Sequence, residues 1–137
     1  MNVDRAFLDT NVLVYAIDAG DARRRVIATA TLREHPDAVV STQVLSEFYV
    51  VATRKLGLPP GAARAAVNTI ATREVALIDA DTVIAAAELV ERTSIGFWDA
   101  LIVRTAIRAN CTTLLTEDLQ HGATIDGVRV VDPFTEG

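Results

Sequence analysis

The sequence predicts an α/β protein in which a parallel sheet is covered by helices. Three observations lead there. Short apolar runs of strand length alternate with longer helical segments, the pattern a parallel, helix-covered sheet produces. Half of the 137 residues are hydrophobic, enough for a substantial core in one domain. Four acids, Asp9, Glu47, Asp99 and Asp118, interrupt or border apolar runs, and in open sheets of this kind sites gather beyond the carboxyl ends of the strands.

Taken in order, residues 5–8 read as a buried strand and 11–17 as a first helix ending near Asp18-Ala19-Gly20. Asp21 can cap a second helix that reaches Glu34 and is stopped by His35-Pro36. Ala38-Val39-Val40 is the second strand, and Ser41 or Thr42 starts a helix to Lys55, before Gly57. Pro59-Pro60 opens a small-residue helix to Thr72, followed by a third strand at 74–78. Asp79 caps an alanine-rich helix reaching Arg92, and 97–110 form another. Strands at 113–115 and 128–131 complete the pattern, with Pro133 beyond. With no repeat or linker, residues 1–137 read as a single domain.

The 13 basic and 18 acidic residues leave a net charge of −5, which argues against a general nucleic-acid binder with a basic face. Bound metal would offset part of this. Arg23-Arg24-Arg25, Arg54-Lys55, and the pair Arg104 and Arg108 read either as phosphate contacts or as solvated helix faces. The single cysteine, Cys111, rules out an internal disulfide and reads as core. No apolar run approaches the roughly 20 residues of a membrane span. Met1-Asn2-Val3-Asp4-Arg5 has no signal-peptide pattern. A cytoplasmic protein without a membrane partner is expected.

Glu47 lies in Val44-Leu45-Ser46-Glu47-Phe48-Tyr49-Val50-Val51, where its helical neighbours are Val44, Val50 and Val51. A carboxylate among such residues costs several kcal/mol in order-of-magnitude terms unless an arginine, a proton or a metal compensates. Asp9, in Phe7-Leu8-Asp9-Thr10-Asn11-Val12, reads equally as a helix cap or a ligand. Asn11 could cap too, or hold a coordinating carboxylate by a hydrogen bond. Asp99 has a cap reading weakened by Phe97-Trp98 before it and the apolar turn after it. Asp118 follows a strand in Leu114-Leu115-Thr116-Glu117-Asp118; Glu117 could equally be the ligand, and Thr116 could position Asp118 or a water.

Together the four acids suggest more than any one alone. Phosphodiester hydrolysis needs an activated water and compensation of growing negative charge, and hard cations held by oxygen ligands supply both. No His/Cys grouping has zinc-ligand spacing, and no glycine-rich phosphate loop or Ser-His-Asp arrangement stands out. His121 reads as a loop residue, His35 as the neighbour of a helix terminator, and Trp98 as packing, with base stacking the lesser reading. The apolar stretches 12–17 and 56–70 are candidate dimer faces.

The segment Phe7-Leu8-Asp9-Thr10-Asn11-Val12-Leu13-Val14-Tyr15 resembles the opening motif of PIN-domain ribonucleases. Glu47 in its helix, Asp99-Ala100-Leu101-Ile102, Leu115-Thr116-Glu117-Asp118 and the ending Gly127-Val128-Arg129-Val130-Val131-Asp132-Pro133-Phe134 follow in that family's order. Within the family the chain is most similar to VapC toxins of bacterial toxin–antitoxin pairs. The resemblance implies a three-layer α/β/α fold with sheet order 3-2-1-4-5, a homodimer, and endoribonuclease activity with one or two Mg²⁺ or Mn²⁺ ions. It maps Asp9, Asp99, Glu47 and Asp118 to the catalytic, metal-binding acids, with Asn11 and Thr116 in support. It also implies a small VapB-like antitoxin whose C-terminal segment occupies the active-site groove. The alternatives are a housekeeping PIN nuclease of RNA processing, against which the compact length counts, and a non-catalytic peptide-binding relative.

Overall fold

The computed structural model describes residues 5–135. Met1, Asn2, Val3 and Asp4, read above as carrying no signal pattern, lie outside the described residues. In chain order the elements are β1 (Ala6–Leu8), α1 (Thr10–Tyr15), α2 (Ala22–Glu34), β2 (Val40–Ser41), α3 (Thr42–Arg54), α4 (Pro60–Ile70) and β3 (Val75–Ala76). There follow α5 (Ala80–Arg92), α6 (Phe97–Arg108), β4 (Thr113–Leu115), β5 (Thr124–Ile125) and β6 (Val128–Val131).

Local chemistry explains most boundaries. Asp21, Ser41 and Asp79 each accept a bond from the backbone N–H three residues on, capping α2, α3 and α5. Pro60 stands at the start of α4, where its missing N–H costs nothing. Helix α6 ends at Arg108, before the expected residue 110, because Asn110 turns into the left-handed region at φ 60°.

β1 pairs in parallel with β4, and β4 with β6. On its other side β1 meets Val39 through Leu8 N–H to Val39 O and Val39 N–H to Ala6 O, both 2.9 Å. Val39 leads into β2, which pairs in parallel with β3. The parallel order is therefore β3-β2-β1-β4-β6, the expected 3-2-1-4-5 with residues 128–131 as its fifth strand. β5 is an addition: it pairs antiparallel with β6 through a two-residue turn at Asp126 (φ 48°) and Gly127 (φ 88°). The sequence signal for that hairpin is the Asp-Gly pair, since both turn residues need positive φ.

Strands buried on both faces explain the near-continuous apolar runs. Phe7, Leu8, Val39, Val40 and Leu114 are sealed from solvent, in one core cluster with Val12, Val44, Phe48, Leu89 and Val103 from the helices. α5 packs on α6, while α1 packs on α2 and α3, and α3 on α4, completing the three-layer arrangement. Val12, Leu13 and Val14 are spent in this core, so of the stretch 12–17 only Tyr15, Ala16 and Ile17 reach the surface. Among the described residues no helix is long and apolar enough to cross a membrane.

Candidate active site

The sheet register builds the centre of the site. Leu8 lies opposite Leu115 across β1 and β4, so the next residues, Asp9 and Thr116, emerge side by side at the carboxyl ends of the strands. This is where the strand order reverses direction, the switch point at which ligands of open α/β sheets bind. The Thr116 hydroxyl donates to Asp9 Oδ2 at 2.7 Å and accepts the Asp118 backbone N–H at 3.1 Å. Asp9 Oδ1 accepts the Thr10 N–H at 2.7 Å, so the cap reading of Asp9 holds; only 6% of the residue is exposed, and it faces the cleft as well. Asn11 Nδ2 donates to both Asp118 oxygens, at 3.1 and 3.2 Å, and so holds a carboxylate rather than capping the helix.

Helices bring in the other two acids. Glu47 Oε1 accepts the Thr10 hydroxyl at 2.9 Å and, more loosely, Gln43 Nε2 at 3.4 Å. Its helix is less enclosed than the sequence suggests: Tyr49 and Val50 remain open to solvent, and Glu47 is half-buried. Asp99 falls in the first turn of α6, three residues past the N-cap Gly96, so it is not the cap. Asp9, Glu47, Asp99 and Asp118 line one cleft of about 120 Å³ with Thr10, Asn11, Gln43, Trp98 and Ile102.

Among the described residues no ion pair joins any of the four acids to an arginine or lysine. Burial pushes Asp9 up from the ordinary carboxylate range, against its two hydrogen bonds, with Glu47 and Asp99 adding repulsion. Asp99 is also raised, by burial and then by Asp118. Asp118 is pushed up to about 6, by desolvation first and then by Asp9 and Glu117.

These are hard oxygen donors short of counter-charge, the chemistry that suits Mg²⁺ or Mn²⁺. They do not close into a cage: among the described residues no three Asp, Glu, His or Cys side chains are gathered around one point. An open site fits Mg²⁺ in kind, since that ion keeps several waters and is commonly held by one or two carboxylates with the substrate's phosphates.

Trp98 is not packing: 64% of it is exposed, and its ring meets Phe97 edge-on at 5.2 Å. His121 is an exposed loop residue whose Nδ1 accepts the Asp132 N–H at 3.0 Å. Cys111 is buried, its thiol pushed up to about 11 by that burial. Glu117 does not line the cleft; its carboxylate meets Tyr15 and Arg24 instead. Arg104 and Arg108 are engaged with Asp126 and Asp79, and Arg24 with Asp21 and Glu117, which counts against these three as phosphate contacts. Thr10 and Gln43 were given no role by the sequence. Thr10's signal was adjacency to Asp9, and Gln43's was its position one helical turn before Glu47.

Fold and cleft together define a three-layer α/β protein with an acidic cleft at the switch point of its sheet. It belongs to the PIN domain family, whose sequence model matches residues 6–124. Among solved structures the chain is similar to VapC20 of Mycobacterium tuberculosis, described as a toxin that cleaves the sarcin-ricin loop. The identity is 24% and the TM-score 0.69, over 82% of this chain and 89% of that one. It is similar to a toxin–antitoxin complex from Klebsiella pneumoniae at 25% identity and a TM-score of 0.71, over 93% and 97% of the two chains. VapBC2 of Rickettsia felis, bound to a DNA fragment from its promoter, shares 22% identity at a TM-score of 0.65, over 91% and 96%. No curated protein matches the sequence.

Proposed function

We propose that this chain is a Mg²⁺- or Mn²⁺-dependent endoribonuclease, a single PIN domain over residues 1–137 acting in the cytoplasm as the toxin of a toxin–antitoxin pair. The carrying observation is that four acids from four separate segments line one cleft, with no arginine or lysine among the described residues paired to them. Asp9 and Asp99 are the principal metal ligands in this reading, with Glu47 and Asp118 completing the acidic set. When bound, one or two such ions supply an activated water and compensate the charge that builds on the phosphate. The chain's own residues prepare the site. Thr116 orients Asp9 and the backbone at Asp118, Asn11 holds Asp118, and Thr10 holds Glu47.

A second feature supports the toxin reading. Beside the acids runs a larger, mostly apolar groove of about 650 Å³, lined by residues including Val50, Val51, Ile78, Trp98 and Leu101. Gln43, Glu47 and Trp98 border both spaces. A small antitoxin segment with apolar side chains leading to a basic residue would match the groove and then the acids. The homodimer implied by the family resemblance has candidate surface in the exposed Leu77, Val83 and Ile84.

The test is cleavage of a mixed, structured RNA pool with Mg²⁺, with Mn²⁺ and with chelator, beside Asp9→Asn. Cuts are expected only with metal, and the variant should be slower by a factor on the order of 10² to 10³. A variant that cuts as fast as the parent removes the acidic cleft from the chemistry.

A further inference from the structure

Glu117 stands between Thr116 and Asp118, two residues of the site network, yet its carboxylate is held elsewhere. The Tyr15 hydroxyl donates to Oε1 at 2.5 Å, and Arg24 Nε lies 3.4 Å from Oε2. Both partners are themselves fixed. Arg24 pairs with Asp21 at 3.1 Å, and its guanidinium lies over the rings of Tyr15 and Phe134, 5.3 and 6.0 Å from their centroids. Tyr15 meets Phe134 edge-on at 5.0 Å, and Arg23 Nη2 donates to the Phe134 carbonyl at 2.8 Å. Burial and the bond to Glu117 push the Tyr15 phenol up to about 12, so it remains a donor at neutral pH.

Adjacent residues of one chain do not reorient independently. Glu117, anchored at its carboxylate by α1 and α2, constrains the backbone from which Asp118 projects. Asp118 is otherwise held by Thr116 at its N–H and by Asn11 at its carboxylate. We infer that Tyr15 and Arg24 are positioning residues which, through Glu117, fix the placement of Asp118 in the acidic cleft. The inference rests on reading that cleft as a metal site, to the extent that metal affinity reports it. The cluster adds an outer tier of hydrogen bonds, of the sort whose loss weakens metal binding although no ligand is removed.

Tyr15→Phe is the sharpest probe, because it deletes one hydroxyl and keeps the ring contacts with Phe134 and Arg24. Glu117→Gln is the companion, keeping the shape and removing the charge. Three quantities are read on the full chain: amide hydrogen exchange in chelator, Mn²⁺ affinity by titration, and RNA cleavage against Mn²⁺ concentration. Both variants should speed exchange at residues 116–118 while leaving the β1 and β4 amides protected. Mn²⁺ should bind roughly tenfold more weakly, with the cleavage rate at saturating Mn²⁺ within about twofold of the parent. Unchanged local exchange and unchanged Mn²⁺ affinity in both variants would overturn the inference, leaving Glu117 as an ordinary ion pair. Exchange that rises throughout the chain overturns it too, as general destabilisation. If the parent binds no Mn²⁺ but the variants still loosen residues 116–118, the positioning stands and the metal reading of the cleft falls.

Discussion

Acids are treated in opposite ways in two regions of this molecule. At the β5–β6 turn, Asp126 is paired with Arg92 at 3.0 Å and with Arg104 at 3.1 Å, joining α5 and α6 to the hairpin. Those bonds hold its carboxyl below the ordinary carboxylate range. In the cleft, Asp9, Asp99 and Asp118 have no such partner among the described residues, and all three are raised. The chain has the means to neutralise carboxylates and uses them away from the site. The charge left in the cleft is therefore a property of the site, offset by no arginine or lysine among the described residues.

One substitution made in both regions sharpens the contrast, because Asp→Asn should have opposite signs. The larger effect is expected at Asp118. Its folded pKa of about 6 lies above the ordinary value of 3.8, so the folded protein holds the proton more tightly than the unfolded chain does. Its protonated form stabilises the fold below about pH 4, and that contribution is lost as pH rises through about 6. Thermal melts in chelator should thus fall from pH 4 to pH 7, and added Mn²⁺ should reverse the fall. Asp118→Asn should flatten this slope and stabilise the metal-free protein at pH 7 by about 1 kcal/mol, a figure discounted for solvent access. A chelated parent no less stable at pH 7 than at pH 4 would break the comparison.

Asp126→Asn should instead destabilise by up to about 1 kcal/mol, because it removes two partly exposed ion pairs while asparagine tolerates the positive φ. Mn²⁺ affinity should be unchanged, and a weakened affinity would mean the two regions are coupled. The smallest effect is expected for Trp98→Ala, within about 0.5 kcal/mol, because the side chain is mostly exposed. A loss of several kcal/mol, read by denaturant melts, would restore the packing reading.

The strand–helix alternation, the caps at Asp21 and Asp79, and the strands at residues 113–115 and 128–131 were legible in the sequence. They depend on periodicity and capping, which are local. β5 was missed because its two residues carry no apolar pattern, and α6 ends early because Asn110 turns left-handed. In the site, the choice of the four acids came from their placement against apolar runs, and all four meet in one cleft. The choice between Glu117 and Asp118 was not legible, since neighbouring acids in a loop look alike until the fold supplies partners. Tyr15 and Arg24 reach Glu117 across 102 and 93 positions of chain.

By itself, then, the sequence determined the alternation of strands and helices apart from the short β5, and which carboxylates would border or interrupt its apolar runs, because both follow from nearest-neighbour chemistry. Tertiary structure alone decided which acids go without an arginine, which carboxylate Asn11 and Thr10 each hold, and that Trp98 stays in solvent. Those outcomes depend on sheet register and helix packing, which bring together residues that share no local pattern.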